Sequence, residues 1–135
     1  MKKFAKDLPV IFSSGYIEYG DLPVVLSSAD IGLMFYESID SNFTEILFSS
    51  NKLTEYLKAG LPVISSDFPS LRQFIKDNAI GTTIATFDEL PGALESLNAQ
   101  IQTFRENALT CYEKFFRFER YFENVHAKLT NNGVG

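Results

Sequence analysis

Residues 49–67 read SSNKLTEYLKAGLPVISSD, and this stretch decides the fold. Ser49, Ser50 and Asn51 offer side-chain acceptors for a helix start. Gly60 suits the left-handed conformation that closes a helix, and Pro62 cannot continue one. Leu-Pro-Val-Ile-Ser (61–65) then reads as a short strand without polar alternation, the mark of burial on both faces. At about 100° per residue the helix has two faces. Leu53, Leu57 and Gly60 lie on one, with Tyr56 at its margin, and this face packs on a sheet. Asn51, Lys52 and Glu55 lie nearly opposite, over the helix N-terminus. A helix N-terminus with unpaired amides suits an anion, phosphate above all, and a glutamate one turn on can accept hydroxyls from a ribose diol. The same residues also permit a plain Lys52–Glu55 surface pair on an ordinary amphipathic helix.

Outward from this stretch, the chain alternates strands with helices. Val10–Ser13 is a short apolar run closing at Gly15, and Ala29–Tyr36 is a second, almost continuously apolar strand. Between them Asp21 to Ser28 reads as a helix, with Leu22, Val25 and Leu26 at helical spacing, Asp21 at the N-cap and Pro23 in the first turn. A polar loop runs from Glu37 to about Phe48. After residue 67 a helix carries Leu71, Phe74 and Ile75 on one face, and Ala79–Ala85, rich in β-branched residues, is the fourth strand. The fold class is α/β: a Rossmann-like parallel sheet of about four strands with flanking helices.

The last third reads as helix throughout. Asp88 is placed to cap a helix carrying Leu90, Leu94 and Leu97. Phe104, Ala108, Cys111, Phe115, Phe118, Phe122, Val125 and Leu129 then follow a strict 4,3 alternation. That is an apolar seam of the coiled-coil kind, or the inner face of a long helix wrapping its own domain. Residues 1–130 read as one domain and 131–135 as a disordered tail.

Composition bounds the function. An apolar content of 45%, with 14% aromatic residues, describes a globular chain. A net charge of −5 argues against a nucleic-acid surface, which needs clustered Lys and Arg. Cys111 and His126 each stand alone, so no disulfide framework and no Cys- or His-based metal site is expected. Asp7 and the serines at 13 and 14 interrupt the opening apolar run, and no run approaches the roughly 20 residues of a membrane span. A cytoplasmic protein is expected.

SNKLTEYLKAGLPVISSD resembles the nucleotide-binding segment of retaining GT-B glycosyltransferases of the large "group 1" type. Upstream, GDLPVVLSSADIGLMFY is similar to a helix and strand of that family, and downstream FRENALTCYEKFFRFERYFENV is similar to its closing helices. The resemblance runs over roughly residues 8–128. It implies the C-terminal, donor-binding half of a GT-B fold, transferring a hexosyl group from a UDP-, GDP- or ADP-sugar to a glycan or lipid-linked acceptor without a metal.

Carried over position by position, the resemblance makes Glu55 the holder of the nucleotide ribose. Ser49, Ser50 and Asn51 become the helix entry that meets the diphosphate, and Lys52 and Leu53 the motif's Lys-Leu pair. Lys52 is then either a point charge beside the phosphates or the partner of Glu55. The further glutamate that many members carry eight positions earlier is here Leu47, with Glu45 out of register. In the family's sheet order, 3-2-1-4-5-6, Val10–Ser13 corresponds to the third strand and Ile31–Tyr36 to the fourth, and direct pairing of these two is expected. The family's first two βα units and its acceptor-binding domain have no counterpart before Val10, so the chain alone is not expected to turn over a donor. It is expected to act with an N-terminal half, or to self-associate through its C-terminal helix. A non-catalytic nucleotide-binding or regulatory subunit is the alternative. A receiver-type signalling module lacks support, since the acidic cluster such modules place at strand ends is missing.

Overall fold

The computed structural model describes residues 15–36 and 51–132. A 3-10 turn, Tyr19–Asp21, leads into helix α1 (Leu22–Ser27), followed by strand β1 (Gly32–Met34). Then come α2 (Asn51–Lys58), β2 (Val63–Ser66), α3 (Pro69–Asn78) and β3 (Gly81–Ile84). A second 3-10 turn, Phe87–Glu89, opens three successive helices: α4 (Leu90–Ala99), α5 (Ile101–Phe115) and α6 (Phe118–Asn132).

The described strands form a three-stranded parallel sheet in the order β1-β2-β3. Gly32 pairs with Val63 and Met34 with Ser65, while Val63 pairs with Gly81 and Ser66 with Ile84. The fold is therefore α/β with a Rossmann-like parallel sheet. The fourth expected strand, Val10–Ser13, and its pairing lie outside the described residues.

β2 is the central strand, and the continuous apolar run foresaw burial on both of its faces. Val63 joins Met34, Leu53, Leu57, Leu71 and Ile75 in a core beneath α2, α3 and α5. Ile64 points the other way, to Ile84, Ala93 and Leu97 under α4. Such a two-sided strand has no position for a polar side chain except where it can bond locally. Buried Ser65 does so, donating to the Ser66 carbonyl at 2.8 Å.

The turn between α2 and β2 is the predicted one. Gly60 has φ +71°, its N–H meets the Leu57 carbonyl at 3.0 Å, and the Leu61 N–H meets that of Tyr56 at 2.9 Å. This pair of bonds satisfies carbonyls left open at a helix end. α3 closes in the same way, through Ala79 N–H to Lys76 and Ile80 N–H to Ile75, but with an alanine at φ +48°. Gly81 follows at φ +155°, and a Cβ there would run into the Val63 carbonyl oxygen.

α5 locks the layers together. Ala108 and Cys111 are buried against α2 and α3, and Phe74 meets Phe115 and Phe116 edge-on at 5.5 and 6.0 Å. Arg105 Nη2 donates to the Ala29 carbonyl at 3.2 Å, and Asn107 Nδ2 donates to that of Ala79 at 3.0 Å.

Three expectations need correction. The apolar seam does not run along one helix. The N–H groups of Phe116 and Arg117 both turn to the Tyr112 carbonyl, at 2.9 and 3.0 Å, and the chain restarts at Phe118. The α5 half of the seam wraps its own domain, whereas on α6 Phe122, Val125 and Leu129 are 63%, 54% and 67% exposed. Asp88 does not cap α4: it lies within the 3-10 turn, and Glu89 instead accepts from the Ala85 N–H at 2.7 Å. Asp21 holds its N-cap position without a side-chain capping bond. α6 runs on to Asn132.

Candidate functional site

Of the residues expected to meet a nucleotide, Ser49 and Ser50 lie outside the described residues. Asn51 and Lys52 are exposed in the first turn of α2, and Glu55 is half-buried one turn on. Leu53 is fully buried in the core, so its side chain cannot touch a ligand. The helical period decides this: Leu53 and Leu57 form the sheet-facing stripe, and the motif's leucine serves packing rather than contact.

Lys52 and Glu55 do not pair with each other. Glu55 Oε1 accepts a hydrogen bond of 2.9 Å from the Tyr19 hydroxyl, in the 3-10 turn before α1. The bond and the carboxylate's charge push the Tyr19 phenol above its usual value. Lys52 turns the other way, its Nζ 5.8 Å from the centre of the Tyr36 ring, within reach of a cation–π contact. The polar face of α2 is thus bracketed by two tyrosines from other elements. Tyr56, at its margin, donates to the Leu33 carbonyl at 3.3 Å, and its ring fills the space that a side chain at position 32 would need.

Tyr36 also belongs to a cleft of about 490 Å³ at the C-terminal ends of the strands. Phe35 and Tyr36 enter it from β1, Ser66, Asp67 and Phe68 from β2, and residues 84–87 from β3. Ligands of open α/β sheets bind at this edge, where the strands end and their loops diverge. Phe35 and Phe87 meet edge-on at 5.0 Å to make one wall. Ser66 Oγ accepts from the Tyr36 N–H at 2.9 Å and donates to its carbonyl at 3.2 Å, extending the β1–β2 pairing by a side chain. Arg72 grips Asp67 with both ends of its guanidinium, at 2.6 and 2.7 Å, and Thr83 Oγ1 donates to the same carboxylate at 2.9 Å. The Arg72 hydrogen bond, against a smaller opposing effect of burial, holds the Asp67 carboxyl below the usual carboxylate range.

Sequence reasoning assigned no role to Tyr36, Ser66, Asp67 or Thr83. Their one signal was polarity at the ends of apolar strands.

Among the described residues no three of His, Cys, Asp and Glu converge as a metal-ligand set. Burial pushes the Cys111 thiol up to about 11, far from a nucleophile's range. Among the described residues no helix is long and apolar enough to cross a membrane.

Comparison with known proteins gives this geometry its setting. The chain is 25% identical over 88 residues to a Chitobiosyldiphosphodolichol beta-mannosyltransferase of Yarrowia lipolytica (strain CLIB 122 / E 150). The alignment covers 65% of this chain and 18% of that enzyme's length, so the chain spans a small part of this relative. No solved structure matches significantly. Residues 2–125, nearly the whole chain, match the family described as "Glucosyltransferase 3-like, C-terminal domain", and the chain belongs to that family.

Proposed function

We propose that the chain binds the nucleotide part of a nucleotide-sugar donor, as the C-terminal half of a retaining glycosyltransferase of GT-B type. The observation that carries this reading is the Glu55 carboxylate, presented on the polar face of α2 and satisfied by an exposed tyrosine hydroxyl that a ligand can replace. A ribose diol supplies the same kind of donor. It takes the place of the Tyr19 phenol on Glu55 Oε1, so the carboxylate exchanges one hydroxyl partner for another.

The donor's diphosphate then lies over the first turn of α2, where the helix dipole is positive and Lys52 adds a mobile charge. Asn51 opens that turn, and Ser49 and Ser50, which precede it in sequence, are assigned to the same diphosphate. Leu53 takes part only by fixing the helix on the sheet. UDP-, GDP- and ADP-sugars all fit this description, because the contacts named are to ribose and phosphate. Hexosyl transfer to a glycan or lipid-linked acceptor needs a second surface that encloses the reaction and excludes water. We assign that surface to an N-terminal glycosyltransferase half acting with this chain. No step of the chemistry is given to a metal.

Saturation-transfer NMR against UDP-glucose, GDP-mannose and ADP-glucose tests the reading. Ribose signals with one of them, lost in Glu55→Ala while the fold persists, are expected. Equal binding by parent and variant would overturn the ribose assignment. A second reading, nucleotide binding without transfer, is favoured by Leu47 standing where many resembling enzymes carry a sugar-facing glutamate. Absence of turnover after mixing with a matching N-terminal half would select it.

A further inference from the structure

β3 is an outer strand of the described sheet, paired with β2 on one side. The Val63 N–H donates to the Ile80 carbonyl at 2.9 Å, and Val63 stands opposite Gly81. Alternate residues of a parallel strand bond to opposite sides, so Thr82 turns its backbone N–H and C=O toward β2. Gly81 and Thr83 turn theirs outward, two residues apart, about 7 Å along the strand. Among the described residues no strand meets this edge. The Thr82 hydroxyl reaches the Thr83 carbonyl at 3.5 Å, a long bond to a group with two lone pairs. Open edges are commonly blunted by a charge or a proline on the strand itself. Gly-Thr-Thr-Ile has neither.

Beside this edge lies a groove of about 320 Å³, lined by residues 81–83, by Arg72, Ile75 and Lys76 of α3, and by Phe104 of α5. Ile75 belongs to the core on one face of the sheet, and Phe104 packs against the core on the other. The groove therefore passes across the strand edge from one face to the other. Its charge comes from α3. Asp67 takes up Arg72 through two bonds, whereas Lys76 is exposed and has no carboxylate partner among the described residues. Asp77 does not line the groove and accepts from Gln73 Nε2 at 2.7 Å. The free charge beside the edge is thus positive.

We propose that the outer edge of β3 docks an extended acidic segment of a partner protein, added to the sheet as a further strand. Its backbone exchanges hydrogen bonds with Gly81 and Thr83, and one of its carboxylates meets Lys76. Main-chain bonding of this kind supplies affinity, while side chains on alternate positions supply selectivity. An apolar side chain of the segment covers Phe104 on the far face of the sheet. A second copy of this chain fits less well. Two-fold pairing of β3 with itself would set the Arg72–Lys76 flank of α3 against the same flank of its partner, cation to cation. The proposal is independent of the nucleotide reading, because the groove shares no residue with the polar face of α2.

Amide NMR and hydrogen exchange on the full chain test this with three synthetic peptides. The first is acetyl-Thr-Val-Glu-Val-Thr-Val-amide, the second carries Lys in place of Glu, and the third is the first with alternate backbone nitrogens methylated. The free chain should exchange its Gly81 and Thr83 amides quickly. The glutamate peptide should shift both signals and slow their exchange, and the methylated peptide should do neither. Lys76→Glu, a substitution at an exposed position checked by thermal melting, should weaken the glutamate peptide about fivefold and favour the lysine peptide instead. Gly81 and Thr83 signals indifferent to the glutamate peptide overturn the proposal, as does equal binding of the methylated one. Equal affinity of the glutamate and lysine peptides for the parent overturns the acidic assignment. Amides already protected in the free chain also overturn it: protection that grows with protein concentration puts a second copy on the edge, and protection independent of concentration puts the chain itself there.

Discussion

The Tyr19 hydroxyl donates to Glu55 Oε1 at 2.9 Å across a sequence separation of 36 residues, joining the turn before α1 to the polar face of α2. The phenol is raised above its usual value of 10.0, first by that hydrogen bond and then by the carboxylate's charge. A raised value in the folded state means that the contact stabilises fully below pH 10.0 and is lost as the pH climbs through the folded value. The ring signals of Tyr19 should therefore titrate late, and Glu55→Ala should return them to the ordinary range. Tyr19→Phe frees Glu55 for a ribose diol, so nucleotide affinity should stay equal or tighten. Weaker binding by Tyr19→Phe would mean that the hydroxyl contributes to the bound state instead of giving way to it.

Asp67 behaves in the opposite sense. Its carboxyl lies below the usual 3.8, held there chiefly by Arg72, so its contribution is present above that value and disappears as the pH falls through the folded one. Both partners are partly exposed, so solvent screening keeps the pair's contribution small. Asp67→Ala should lower the melting temperature by about 3 °C at neutral pH. The gap between variant and parent should close in strong acid. A gap independent of pH would show that packing around Asp67, not its charge, is what the substitution removes.

Two positive-φ residues at the junction of α3 and β3, Ala79 in the loop and Gly81 at the start of β3, have opposite consequences. Ala79 at φ +48° holds a conformation that costs an L-residue about 1 kcal/mol, and a glycine there avoids it. Ala79→Gly should raise the melting temperature by about 3 °C, some of the gain being offset by the freer unfolded chain. Gly81→Ala should cost about 3 kcal/mol or more, because the added methyl meets the Val63 carbonyl within the β2–β3 pairing. Thermal melts of the two single variants check both signs.

On α6, Phe122, Val125 and Leu129 stand at 3- and 4-residue spacing and form an exposed apolar stripe. Phe122→Glu with Leu129→Glu should reduce binding of a hydrophobic dye and concentration-dependent association, with little change in melting temperature. A large fall in melting temperature would show instead that the stripe packs against the remainder of the chain.

How much of this was legible in advance follows from the range of each interaction. The α2 stripe of Leu53 and Leu57, the Gly60 stop and the two-sided β2 strand could be read from residues 49–67, because helical period, capping and turn chemistry act over a few residues. The break between α5 and α6 could not. The 4,3 alternation runs straight through it, no glycine or proline marks it, and the Tyr112 carbonyl ends the helix by accepting two N–H groups at once. Motif likeness also put Leu53 among the contact residues, where burial assigns it to the core.

The amino-acid sequence by itself determined the α/β class, the apolar and polar faces of α2, and the glutamate on its polar face. Only the tertiary structure decided what those faces meet. Tyr19 reaches Glu55, Tyr36 reaches Lys52, and Thr83 reaches Asp67 because three parallel strands bring their ends to one edge. Those partners lie 16 to 36 residues apart along the chain. No local propensity carries information over that distance. Backbone pairing and core packing do, and they create the cleft as a by-product of closing the sheet.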